Sequence, residues 1–160
     1  METQEIPSKL LLGDQLCFAL YAANNAFGRA YKPILEPLGL TYPQYLVMIC
    51  LWEEEAQTIG AIGHRLFLET NTLTPLLKRL EAAGLIRRER DRQDERQVRV
   101  TLTGEGRALR EKAVCVPQQI GMASGLDMAQ ANSLREWLEW LRESLDASLK
   151  PPAETKGSYP

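Results

Sequence analysis

The sequence predicts a mainly α-helical chain with one small β-hairpin, and three observations carry that prediction. Apolar residues recur at three- and four-residue steps in several separate tracts, the spacing of a single buried helical face. One tract behaves differently: around the charged tip Asp91-Arg92-Gln93-Asp94-Glu95-Arg96, Val98, Val100 and Leu102 alternate with polar neighbours, the period of a strand. Helix-start signals also precede the apolar runs, at Thr41 with Gln44, at Thr58, at Thr103 and at Asp127 with Gln130.

Taken in order, Gly13-Asp14 opens a first helix with Asp14 as N-cap, and Pro33 brings it to an end. Pro37 and Gly39 make a loop. The apolar run Tyr45 to Trp52 continues from the Thr41 cap as a mostly buried second helix, closed by Glu53-Glu54-Glu55. Thr58 caps a short third helix whose stripe is Ile59, Ile62, Leu66 and Phe67, and the polar turn Glu69-Thr70-Asn71 follows. From Thr72 to Ala83, Leu73, Leu76, Leu77 and Leu80 form one stripe, with Gly84 as the stop. Strands at Ile86 to Arg90 and Gln97 to Leu102 make the hairpin. A fifth helix runs from Thr103 toward Pro117, and a last one after Asp127 repeats Ala131, Leu134, Leu138, Leu141, Leu145 and Leu149, widened by Trp137.

Composition narrows the function. With 160 residues, 44% apolar and 25% charged, the chain can bury one sizeable core. No basic leader with an apolar core opens it and no apolar run approaches the roughly 20 residues that span a bilayer, so a soluble, cytoplasmic protein without a membrane partner is expected. Cys17, Cys50 and Cys115 have no CxxC spacing and share the chain with one histidine, His64, which argues against a zinc site, and the odd count argues against a disulfide scaffold. No metal and no cofactor are expected.

The formal charge of −2 hides an uneven distribution. Between Lys78 and Arg99 eight basic residues face five acids, a local surplus of three positive charges, while Glu53, Glu54 and Glu55 carry acid elsewhere. The element order, three helices ending in a turn, a helix, a hairpin and two further helices, is that of a winged helix-turn-helix flanked by helices forming a dimerisation region. About 41–103 would be the winged-helix DNA-binding region, and about 10–35 and 104–150 the dimerisation helices of a single chain 1–150, with 151–160 a disordered tail. Thr70, Asn71, Thr72 and Thr74 at the start of the helix after the turn can reach base edges in a major groove, with Lys78 and Arg79 on phosphates. Arg92, Asp94 and Arg96 at the hairpin tip can approach the adjacent minor groove.

The tract DRQDERQVRVTLTGEG resembles the wing signature of MarR-family regulators, with Asp91, Arg92, Asp94, Arg96, Leu102, Thr103 and Gly106 in matching places. LETNTLTPLLKRLEAAGLIRR resembles that family's recognition helix, and LCFALYAANNAFGRAYKPILEPLGLTYPQYLVM is similar to its organic hydroperoxide branch, OhrR. The similarity is close over about residues 10–112. It implies a homodimeric repressor on a pseudo-palindromic double-stranded operator, with organic hydroperoxide as inducer, and no enzyme. It also implies a redox sensor made of Cys17, Tyr31 and Tyr42.

Fourteen residues of straight helix separate Cys17 from Tyr31 by roughly 21 Å, so the two cannot touch within one chain. They can meet across a dimer whose first helices pack antiparallel. Peroxide is attacked by thiolate, which needs access and stabilising donors. With Asp14 as N-cap, Cys17 lies at N3, where the helix dipole favours negative charge, although Asp14 opposes it. Cys50, inside LVMICLW, reads as core, His64 as a surface or packing residue, and Trp137 and Trp140 as dimer core. Cys115 is a candidate resolving thiol, although it falls earlier than the resemblance implies and Met122 lies nearer that place. A small thiol forming a mixed disulfide with Cys17 is the alternative. Two rival readings are a repressor released by a small aromatic ligand and a thiol peroxidase.

Overall fold

In a computed structural model the described residues are 10–149 except 92, 93 and 95; the hairpin-tip residue Arg92 and the tail 151–160 lie outside them. They fall into two compact units, one running to Ala123 and the other beginning at Ser124.

The first unit holds a short 3-10 turn (Leu12–Asp14), α1 (Leu16–Leu35), a second 3-10 turn (Glu36–Leu38), α2 (Tyr42–Glu53), β1 (Gln57–Thr58), α3 (Ile59–Leu66), α4 (Thr70–Ala82), β2 (Ile86–Arg90), β3 (Val98–Leu102) and α5 (Gly104–Ala113), then most of α6 (Val116–Ser124). The second unit is dominated by α7 (Met128–Ser148). The fold is therefore the expected mainly helical winged helix-turn-helix. Its sheet has three antiparallel strands in the order β1-β3-β2, one more than the hairpin alone. Gln57 pairs with Val100 and Thr58 with Arg99, a contact that spans more than forty residues and has no local sequence signal.

The core forms where α2 is wrapped. Val47, Met48 and Leu51 of α2 meet Ile62 of α3, the stripe Leu73, Leu77 and Leu80 of α4, and Ile86, Val100 and Leu102 of the sheet. Leu76 is only half-buried at the stripe's edge. The α2 cap forms as read: Gln44 Oε1 accepts from the Thr41 backbone N–H at 2.8 Å and from its hydroxyl at 3.0 Å. Gly84, at φ +74°, ends α4 in a left-handed turn that only glycine adopts readily, with the Leu85 N–H on the Leu80 carbonyl at 3.0 Å.

Five boundaries differ from expectation. Asp14 is absorbed by the 3-10 turn, whose closing bond runs from the Gln15 N–H to the Leu12 carbonyl; Gln15 becomes the N-cap of α1 and Cys17 moves to N2. Pro33 does not end α1: its missing N–H costs one bond near the terminus, and the helix closes two residues later at Leu35. Phe67 leaves the α3 stripe because it is the C-cap, at φ +53°, and is exposed. The helix starting at Thr70 absorbs the expected turn, since the N–H groups of Thr72 and Leu73 already bond the Glu69 carbonyl. The tract after Thr103 breaks at Val114-Cys115, and Pro117 falls in the first turn of α6, where its missing N–H is harmless.

Thr103 fastens this region. Its hydroxyl oxygen accepts from the Gly106 N–H at 3.0 Å and its hydroxyl donates to the Gly84 carbonyl at 2.6 Å. Thr103→Ala loses both bonds. We expect it to lower stability by about 1–2 kcal/mol, read as a reduced urea midpoint at unchanged slope, with Thr103→Ser recovering most of the loss.

Candidate DNA-binding face and thiol site

The first turns of α4 carry the polar residues predicted to read bases. Thr70, Asn71 and Thr72 are exposed and Thr74 is half-buried, with its hydroxyl donating to the Thr70 carbonyl at 2.7 Å. Lys78 and Arg79 are exposed two turns along. A cleft of about 340 Å³ joins Thr70 to Thr58, Ile59 and Gly60 at the start of α3 and to Arg96, Gln97 and Val98 of the wing. Helix start and wing thus border one surface.

The wing tip is built by acids. Asp94 accepts from the Arg96 backbone N–H at 3.1 Å and from the Gln97 amide at 3.0 Å, and the Asp91 backbone N–H bonds the Gln97 carbonyl at 2.9 Å. Arg99 donates through Nε to Asp91 at 2.8 Å and through Nη1 to the Ala56 carbonyl, tying hairpin to β1. Arg88 is likewise engaged, donating to Glu81 from Nε at 2.9 Å and from Nη2 at 2.6 Å; these bonds hold the Glu81 carboxyl below its ordinary range. Two of the basic residues counted in the sequence therefore serve structure. Lys78, Arg79, Arg87, Arg90 and Arg96 are the exposed cations described there.

The thiol site is assembled from three places. Cys17 is free and exposed in the first turn of α1. Tyr31, on the same unbroken helix, stacks on Tyr42 with ring centroids 4.3 Å apart. Tyr45 joins them at 6.2 Å from Tyr31, a member that the sequence reading placed only in the buried run. The Tyr42, Tyr45 spacing of three residues on α2 was the available signal, since it puts both on one face. Tyr31 and Tyr42 open onto a cleft of about 540 Å³ lined also by Gly28, Leu35, Leu40 and Pro43.

Burial, reinforced by Tyr42 and Tyr45, pushes the Tyr31 hydroxyl up to about 12. Burial likewise raises Tyr42, and burial with Tyr42 and Cys115 as neighbours raises Tyr45. All three hydroxyls therefore stay neutral donors across physiological pH. A raised folded value means that the associated stability is present below pH 10 and is lost as pH climbs from about 10 to about 12. The phenolate absorbance of Tyr31, isolated as the difference between wild type and Tyr31→Phe, should emerge near pH 12 rather than 10.

The remaining cysteines divide. Cys50 is buried, its thiol donating to Gln57 Oε1 at 3.6 Å, and burial pushes it up. Cys115 is free and exposed at the start of α6, with its thiol on the Lys112 carbonyl at 3.5 Å. His64 is exposed on α3. Trp137 and Trp140 meet edge to face at 5.9 Å on α7, both exposed. Among the described residues no group of three or more His, Cys, Asp or Glu could hold a metal, and no single helix is long and apolar enough to cross a membrane.

Comparison with known proteins places these features in a family. The profile of the family described as transcriptional regulator SarA/Rot matches residues 29–113. The HTH-type transcriptional regulator TtmR of Methylorubrum extorquens is 53% identical over 136 residues, covering 85% of this chain and 70% of that protein. The organic hydroperoxide resistance transcriptional regulator of Bacillus subtilis is 48% identical over 125 residues, covering 76% and 85%. Reduced AbfR of Staphylococcus epidermidis bound to DNA superposes with a TM-score of 0.74 at 39% identity, over 87% of this chain and 95% of that one.

Proposed function

From the premise that the chain belongs to the MarR-like family of winged helix-turn-helix transcriptional regulators and binds DNA, we propose that it is a cytoplasmic homodimeric repressor released from its operator when organic hydroperoxide oxidises Cys17. The observation that supports this reading most is the division of the site: an exposed thiol at one end of α1, and a stacked tyrosine pair facing an apolar cleft at the other. Roughly 21 Å of helix keeps them apart in one chain, so a second, antiparallel copy completes the site. The apolar surface left uncovered agrees. Leu12, Leu16, Phe18 and Tyr21 around Cys17 are exposed, and α7 has no buried residue although it carries Leu134, Trp137, Leu138 and Leu145.

In the chemistry, the Cys17 thiolate attacks the outer peroxide oxygen and the O–O bond breaks. Sulfur loses two electrons and becomes sulfenic acid, and the alkoxide leaves and takes a proton to become the alcohol. The Tyr31 and Tyr42 hydroxyls of the partner, neutral and donating, stabilise the thiolate before and lose that role after. Condensation of the sulfenic acid with a second thiol then forms a disulfide and releases water. Cys115 supplies that thiol within the dimer, or a small cellular thiol supplies it from outside; the intact mass of the oxidised protein distinguishes the two.

On DNA, the start of α4 reads the major groove and the wing carries Arg96 toward the minor groove, with Asp94 shaping the tip. Two such units bind half-sites about one helical turn apart. A gel shift on the operator tests the redox claim: organic hydroperoxide should release wild type and leave Cys17→Ser bound, and equal release of both would sink it. The cleft beside Tyr31 and Tyr42 favours one second reading, a small aromatic inducer. That reading requires release with no change in protein mass.

A further inference from the structure

We propose that Tyr45 and Trp52 are positioning residues that transmit the state of the tyrosine site to the C-terminal end of the recognition helix α4; this rests on the redox reading above and supplies its mechanical link. Both lie on α2, seven residues apart, which is two helical turns along one face and roughly 10 Å. Tyr45 is 4% exposed and touches both ends of the link: its ring lies 6.2 Å from Tyr31 and 6.3 Å from Trp52, the latter edge to face. The Trp52 indole N–H donates to the Gly106 carbonyl at 2.9 Å, crossing from α2 to the first turn of α5.

Gly106 has no slack. A Cβ there would fall 2.0 Å from the Leu85 carbonyl oxygen, so the two backbones are in direct contact. The same Leu85 carbonyl accepts the Thr103 N–H at 3.0 Å, and Thr103 holds the Gly84 carbonyl at 2.6 Å. Gly84 and Leu85 follow Ala83, the C-cap of α4, and lead into β2. A continuous set of close contacts therefore runs from Tyr31 through Tyr45, Trp52 and Gly106 to the end of the recognition helix and the root of the wing. Close-packed rings do not deform gradually. When Tyr31 and Tyr42 lose the Cys17 thiolate and shift, Tyr45 must follow, and Trp52 either drags Gly106 or gives up its hydrogen bond.

Trp52→Phe keeps an aromatic ring and removes the donor. Operator affinity of the reduced protein should stay within about threefold of wild type, and intact mass should show Cys17 oxidised at the wild-type rate. Oxidation should then lower operator affinity by less than about threefold, against about tenfold or more in wild type. An oxidised Trp52→Phe dimer that leaves DNA as completely as wild type overturns the link. Wild-type protein labelled with 5-fluorotryptophan keeps the link intact and gives one fluorine resonance for each of the three tryptophans, assigned by single Trp→Phe variants. Peroxide should move the Trp52 resonance in the wild-type background and not in Cys17→Ser; DNA release with that resonance unmoved also overturns the proposal. A wild-type dimer oxidised at Cys17 that keeps its operator overturns the redox reading itself, and the link with it.

Discussion

Gly106→Ala is expected to destabilise the protein by about 3 kcal/mol or more and to abolish operator binding at physiological temperature. The new methyl carbon would meet the Leu85 carbonyl oxygen at 2.0 Å, the Leu85 carbonyl carbon at 3.0 Å and Leu102 Cδ2 at 3.3 Å. Two of these are backbone atoms, which cannot turn aside as a side chain can. Relief requires α5 to lift from the α4 cap, which strains the Thr103 bonds and the Trp52 contact at Gly106 together. Urea unfolding measures the loss. Gly104→Ala is the control, because an added Cβ there meets nothing within 4 Å.

The second large effect concerns DNA, where two kinds of contact should separate. Asn71 is exposed at the start of α4, and under the proposed docking, in which it meets a base edge, Asn71→Ala should cost about 1–3 kcal/mol on the operator and little on random duplex, relaxing specificity at one position. Arg96 is exposed on the tip braced by Asp94, and Arg96→Ala should weaken operator and random duplex alike. Its plot of log affinity against log salt should flatten by about one unit, the signature of one cation lost from the negative potential of the minor groove. Anisotropy titrations at several salt concentrations read both effects. Arg88→Ala and Arg99→Ala belong to a different class, since Glu81 and Asp91 already engage those guanidinium groups and their loss acts through the fold.

Most of the architecture was legible because its signals are local. Thr41 with Gln44, Thr58, Gly84, Thr103, and Asp127 with Gln130 each close a helix end through bonds spanning a few residues, and each stands where the sequence put it. The misreadings arose where two local solutions compete or where the partner is remote. Asp14 had an equally good place in a 3-10 turn, and Phe67 was counted by spacing although the chain turns left-handed at its position. β1 exists only because Gln57 and Thr58 reach β3. The candidate site divides in the same way. The types and spacing of Cys17, Tyr31 and Tyr42 were visible, whereas the inclusion of Tyr45 and the Trp52 bond to Gly106 depend on tertiary contacts.

The central claim is that each sensing site takes its thiol from one chain and its tyrosines from the other, and a mixed dimer tests it most directly. One chain carries Cys17→Ser with intact tyrosines; its partner carries Tyr31→Phe and Tyr42→Phe with an intact thiol. Neither homodimer should release the operator on treatment with organic hydroperoxide. The mixed dimer contains one site whose Cys17 faces wild-type tyrosines, so it should recover peroxide-dependent release, with Cys17 oxidised at close to the wild-type rate by intact mass. A mixed dimer as resistant as its two parents would contradict the account.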